Sequence, residues 1–275
     1  MKDLKIKINE SYDSIKKTAG DFKPMVGIIL GTGLGALAKE IQNAKEIHYK
    51  DIPNFPLSTV ETHSGMLVLG EIEGKKVMAM SGRFHRYEGY SMSEITFPVR
   101  VMKAMGIKCL LISNAAGGIN RSFDAGDLVI IEDHINFMGD NPIIGQNDND
   151  MGPRFPDMIE PYSKELIKIA EESAWDMKIK IKKGVYIGVT GPNLETKAEY
   201  RMMGQFADMV GMSTVPEVIA AVHAGLKVLG ISVITDKCVP DLLEPADIKK
   251  IIATAQKAEP LLTKVMKEVI KRVKI

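Results

Sequence analysis

Short apolar runs alternate along the chain with stretches whose apolar positions recur every three or four residues. The runs at Val26–Leu30, Leu67–Ile72, Lys76–Met80, Cys109–Ser113, Leu128–Ile131, Val185–Thr190 and Val228–Thr235 predict strands. The periodic stretches Ser11–Ala19, Gly35–Gln42, Glu94–Met105, Ser163–Met177, Thr196–Phe206, Pro216–Ala224 and Ala246–Val273 predict helices. Strands rich in Val, Ile and Leu on both faces, interleaved with helices, indicate an α/β fold with a largely parallel or mixed sheet covered on both sides. Pro98 is expected to kink or delay its helix, and Pro260 to break the last one. That last helix aligns Ile248, Ile251, Ile252, Ala255, Leu262 and Val265 for packing on one face. The polar stretch 139–154 is the longest irregular region, and a loop of that length is more often functional than a mere connection. With no repeat and no linker composition, residues 1–275 read as one domain.

Composition narrows the function classes. Hydrophobic residues make up 45% and charged residues 26%, as in ordinary globular proteins. Thirty-six basic against thirty-five acidic side chains leave a formal charge of +1, which gives no overall attraction to nucleic acid or membrane. Cys109 and Cys238 are too far apart in sequence to suggest a disulfide framework or a metal motif. The N-terminal stretch lacks the apolar core of a signal peptide, and no apolar run approaches membrane-spanning length. A cytoplasmic protein is expected.

The candidate chemistry gathers where predicted strands end. GRFHRYEGYS (82–91) places Arg83, His85, Arg86, Tyr87 and Glu88 in one run bracketed by glycines. Arginine offers two donors to an oxyanion, histidine adds another, and Glu88 is suited to fix a histidine tautomer. The turn Gly31-Thr32-Gly33-Leu34-Gly35 suits either an anion at a helix start or a tight turn without a ligand. It has neither dinucleotide spacing nor the lysine of a P-loop. The segment Ser113–Asn120 reads as a second small-residue turn, serving an anion through the Ala115 amide or simply allowing two backbones to pack. Glu195, Ser213 with Met212, and Asp236 stand near further strand ends. Each also has a plain structural reading as a helix-start acid, a cap or a turn residue.

In order along the chain, GIILGTGLG (27–35), IPNFPLSTVETHSG (52–65), GRFHRYEGYS, TFPVRV (96–101), SNAAGGIN (113–120), GPRFPDM (152–158), GPNLETKAEYRM (191–202) and VGMSTVPEV (210–218) resemble the trimeric purine nucleoside phosphorylases. The resemblance implies a single α/β domain whose central mixed sheet forms a distorted barrel flanked by helices, assembled as a homotrimer. It also implies reversible phosphorolysis of purine nucleosides, with inorganic phosphate as co-substrate and no metal or organic cofactor. By position, Thr32, His63, Arg83, His85, Ala115 and Ser213 would bind phosphate. Tyr87 and Met212 would border the ribose, joined by Phe155 from a neighbouring subunit. Glu195, Asp236 and Leu194 would meet the purine. His85, Glu88, Glu195 and Asp236 would carry the catalysis.

Three positions depart from the family's usual pattern. Asp236 stands where asparagine is common, and it can donate a hydrogen bond only if protonated. Ile248 is the nearest counterpart of a histidine that addresses the ribose 5'-hydroxyl, and Leu194 replaces an aromatic. Glu195 favours 6-oxopurine nucleosides such as inosine and guanosine; the alternative is a 6-aminopurine or 5'-methylthio nucleoside. Two rivals of other classes are a nicotinamide-dependent oxidoreductase, for which Glu46 is a poor ribose-binding acid, and a non-enzymatic nucleoside-binding protein.

Overall fold

The computed structural model describes residues 2–59 and 64–274. Nine strands form one sheet: β1 (Val26–Leu30), β2 (Gln42–His48), β3 (Met66–Ile72), β4 (Lys75–Ser81), β5 (Cys109–Gly118), β6 (Leu128–Asn136), β7 (Ile181–Gly188), β8 (Met209–Gly211) and β9 (Lys227–Lys237). Their order is β2-β3-β4-β1-β5-β8-β7-β6-β9, and β9 pairs back onto β5. Strands β5, β8, β7, β6 and β9 therefore close into a five-stranded barrel, with the other four extending from β5 as an open wing. Parallel and antiparallel pairs are mixed, as in β1–β5 against β6–β9.

Helices α1 (Lys2–Ala19), α2 (Ala36–Lys39), α3 (Met92–Met105), α4 (Lys164–Asp176), α5 (Lys197–Met203), α6 (Val215–His223) and α7 (Ile248–Arg272) flank the sheet. Two large apolar clusters result. One includes Ile29, Leu110, Val101 and Val218, and the other Ile28, Leu111, Val265 and Val269. Neighbouring strand residues thus face opposite cores, which is why the strand sequences are apolar throughout rather than alternating. Among the described residues, no helix is long and apolar enough to cross a membrane.

Several boundaries differ from the sequence expectation. Strand β2 carries QNAKEIH with only Ile47 buried, so an edge strand with mostly solvent-facing side chains offers no apolar run to read. It also ends the second predicted helix early, at Lys39. Helix α1 begins nine residues before Ser11. Pro260 does not break α7, and Pro98 lies within an unbroken α3. A proline removes one backbone donor, and burial of Val265, Met266 and Val269 on α7 and of Val99, Val101 and Met102 on α3 outweighs that loss. The small-residue segment expected to be a turn from Ser113 is instead strand as far as Gly118, hydrogen-bonded to both β8 and β9. The stretch 139–154 is irregular, as expected.

Candidate active site

The first glycine-rich turn is where two strand ends touch. A Cβ on Gly31 would lie 2.8 Å from the Ser113 carbonyl oxygen and 2.9 Å from Asn114 Cα. Only glycine lets the end of β1 approach β5 this closely. The Gly31 amide also donates to Ser113 Oγ at 3.3 Å. Close backbone packing thus accounts for Gly31, while Thr32 and Ala115 on either side face a cavity of about 430 Å³. Ala115 faces it from inside β5, not from a turn.

One hydrogen-bonded cluster in the cavity wall centres on Arg83, which follows β4 and is 2% exposed. Its Nη1 donates to Ser213 Oγ at 2.7 Å and Thr214 Oγ1 at 3.1 Å, and its Nε lies 3.4 Å from Glu217 Oε1. Asn114 Nδ2 donates to the same Thr214 hydroxyl at 2.9 Å. Thr214 has φ 71° and ψ −52°, and the Val215 amide donates to the Ser213 carbonyl at 2.7 Å. That is a γ-turn of the strained, positive-φ kind, costly for a β-branched residue. Here the turn is fixed by the buried partners of the Thr214 side chain. It brings Ser213 to the cavity and starts α6 immediately behind it.

His85 and Glu88 form a second unit. Glu88 Oε1 lies 2.8 Å from His85 Nδ1 and also accepts the His85 amide at 2.8 Å. Its Oε2 accepts the Thr59 amide at 2.9 Å and the Thr59 hydroxyl at 2.6 Å. Burial would raise the Glu88 carboxyl, but the hydrogen bonds from His85 and Thr59 outweigh it and hold the group down at about 2. With Nδ1–H bound to Glu88, the His85 ring presents Nε2 to the cavity. Tyr87 stacks on that ring, centroids 4.6 Å apart, and burial, reinforced by Glu88, pushes its phenol up to about 12. Ser91 then caps α3 through a reciprocal capping box with Glu94, fixing where the run ends.

The third cluster is acidic. Glu195 Oε2 accepts the Tyr200 hydroxyl at 2.7 Å. Asp236 Oδ1 accepts from Thr235 Oγ1 at 2.7 Å, and its Oδ2 from Cys238 Sγ at 3.2 Å. Burial, followed by the neighbouring Asp236, raises the Cys238 thiol, so it stays a neutral donor. Both carboxylates have thus taken up the local donors and offer a ligand acceptors. Met212, Leu194 and the first turn of α7 (Ile248, Ile251 and Ile252) complete the wall. Gly191 leaves room for Met212, whose Sδ would sit 2.3 Å from a Cβ there.

The family model described as the phosphorylase superfamily matches residues 25–271. Purine nucleoside phosphorylase 1 of Bacillus subtilis (strain 168) is 52% identical over 97% of this chain and 98% of its own length. The chain belongs to the purine nucleoside phosphorylase family. The mouse purine nucleoside phosphorylase is 44% identical over 90% of both chains. Isoform 2 of the Schistosoma mansoni purine nucleoside phosphorylase, solved with cytosine and ribose-1-phosphate, superposes with a TM-score of 0.93 at 43% identity, covering 98% of this chain and 97% of that one. A purine nucleoside phosphorylase from Schistosoma mansoni solved with inosine gives 0.93 at 37% identity, with the same coverage.

Within this purine nucleoside phosphorylase fold, Thr32, Arg83, His85, Tyr87, Ala115, Leu194, Glu195, Met212, Ser213 and Asp236 line one cavity. Glu88 reaches it through His85. Phe155 does not line it: its ring is 87% exposed, with the Arg154 guanidinium 5.7 Å from the ring centroid. His63 lies outside the described residues. Sequence reasoning missed Thr214, Asn114 and Glu217 behind Arg83, Thr59 behind Glu88, and Tyr200 and Cys238 beside the acids. All of these but Cys238 stood within matching segments, but nothing in their spacing shows that they face the site.

Proposed function

We propose that the chain catalyses reversible phosphorolysis of purine ribo- and deoxyribonucleosides, chiefly inosine and guanosine, to free base and (deoxy)ribose 1-phosphate. One observation carries this reading: a single cavity joins the Arg83, Ser213 and His85 donors to the acceptor pair Glu195 and Asp236. Phosphate needs the first set and a purine edge bearing N–H groups needs the second. The sugar lies between them, bordered by Tyr87 and Met212.

As the glycosidic bond breaks, positive charge grows on the sugar and negative charge on the base. Phosphate held by Arg83, His85, Thr32 and Ser213, and by the Ala115 amide, stabilises the sugar cation and then takes the anomeric carbon. The glycosidic electron pair leaves with the purine. Glu195 accepts the N1–H of a 6-oxopurine and orients the base. The phosphate contacts strengthen as positive charge develops on the sugar, which is differential binding of the transition state, and the departing purine takes up a proton from solvent to become the free base. No side chain becomes a covalent nucleophile, and neither metal nor organic cofactor has a step to perform.

The homotrimer belongs to the same proposal. An aromatic ring as exposed as Phe155 is suited to cover a neighbouring subunit's ribose. Two buried free thiols suit a reducing compartment, so purine salvage in the cytoplasm is the proposed setting. A second reading rests on Asp236 and the apolar Ile248: acceptance of 6-amino or 5'-methylthio nucleosides. A panel of inosine, guanosine, adenosine and 5'-methylthioadenosine, compared by kcat/KM in phosphate, tests both. Preference for inosine or guanosine supports the first reading, preference for either adenine nucleoside replaces it with the second, and turnover of none rejects both.

A further inference from the structure

A second cavity, of about 220 Å³, shares no lining residue with the first. It lies between α1, α3 and the loop around Met151. Helix α3 contributes Arg100 and Lys103, α1 contributes Lys5 and Asn9, and the loop contributes Asp150 and Met151.

The charges there are unevenly matched. Lys5 is satisfied twice over, by Asp148 at 2.8 Å and Asp150 at 2.7 Å. Arg100 and Lys103 have no carboxylate within ion-pair distance among the described residues. Arg100 is 8% exposed, and its one hydrogen bond there runs from Nη1 to His223 Nδ1 at 3.4 Å. With Nδ1 accepting, His223 is the neutral tautomer, whose Nε2–H donates to Asn147 Oδ1 at 3.3 Å. The histidine therefore takes none of the arginine's charge. A guanidinium has five donors and is expensive to bury unpaired. Lys103 is exposed and suits the last turn of its helix, which explains it without a ligand. Arg100 has no such explanation.

We propose that this cavity is a binding site for a small phosphate-bearing anion, distinct from the substrate phosphate site. Arg100 grips the anion with its spare donors, Lys103 adds charge from one helical turn further on, and Asn9 supplies an amide. A phosphoryl group fits this donor set better than a neutral ligand, because only an anion compensates the buried cation. The apolar Met151 wall leaves room for a small organic body on the phosphate. The shared chemistry has two sources, inorganic phosphate or a sugar phosphate.

Equilibrium dialysis of the full chain, with inorganic phosphate and separately with ribose 5-phosphate, tests the proposal. Inorganic phosphate as the occupant predicts a second class of phosphate site beyond the one used in turnover. A sugar phosphate predicts that class for ribose 5-phosphate alone. In either case Arg100→Gln and Lys103→Glu each weaken it at least about tenfold, while the KM for phosphate in turnover stays unchanged. If Arg100→Gln fails to fold, the exposed Lys103→Glu carries the test. Binding of neither probe, or binding indifferent to the variants that fold, overturns the proposal.

Discussion

Glu88 holds Nδ1 of His85 at 2.8 Å with one carboxylate oxygen and gathers both donors of Thr59 with the other. It thereby ties the cavity histidine to the segment preceding residue 60. Glu88 itself does not line the cavity, so it acts as a positioning residue.

Replacing Glu88 by Gln should lower kcat/KM for phosphate by about tenfold to a hundredfold, equivalent to about 1.4–2.7 kcal/mol. Initial rates at varied phosphate measure this, and an unchanged value would mean that His85 needs no orienting partner. The same variant has a pH signature. The folded carboxyl lies at about 2, below its ordinary 4.5, so its contribution to stability is fully present above about 4.5 and is lost as pH falls toward 2. The stability difference between wild type and Glu88→Gln, followed by urea unfolding, should therefore shrink over that window. A difference that is flat down to pH 2 would contradict the assignment.

Gly31→Ala addresses the glycine-rich turn. Its Cβ would meet backbone atoms of Ser113 and Asn114, which cannot swing aside as a flexible side chain would. The expected cost is about 1–3 kcal/mol of stability from overpacking. Because Thr32 and Ala115 flank the contact, the KM for phosphate should rise as well. Wild-type stability in the alanine variant would show that the two strand ends can separate freely.

Asp236 is expected to discriminate between purines. Its two oxygens accept from Thr235 and Cys238, so it offers a ligand acceptors rather than donors. Asp236→Asn supplies an amide N–H, which should raise kcat/KM for inosine and lower it for adenosine. A change of about tenfold in their ratio corresponds to about 1.4 kcal/mol of discrimination. An inosine rate that is unchanged or lower would show that the aspartate does not handicap 6-oxopurines.

The sequence made the main strands legible because their Val, Ile and Leu runs are buried on both faces. It left β2 hidden because that strand buries only Ile47. Local propensity overstated Pro260, whose effect is outweighed by packing along the rest of α7. At the site, residues carrying visible chemistry, such as Arg83, His85 and Glu195, stand in recognisable runs. Nothing in those runs marks their partners. Thr214 and Glu217 meet Arg83 only because the sheet brings the start of α6 beside the end of β4, more than a hundred residues away in sequence. The strain at Thr214 has no sequence signature, since a Ser-Thr-Val stretch does not ordinarily predict a positive φ.

In the proposed reaction, phosphate held by Arg83 and His85 is the attacking group. Dialysed protein incubated with inosine, with and without inorganic phosphate, tests it most directly. Hypoxanthine and ribose 1-phosphate should form in equal amounts, only when phosphate is present, with no added metal or nucleotide. Hypoxanthine release at the same rate without phosphate, accompanied by free ribose, would contradict it.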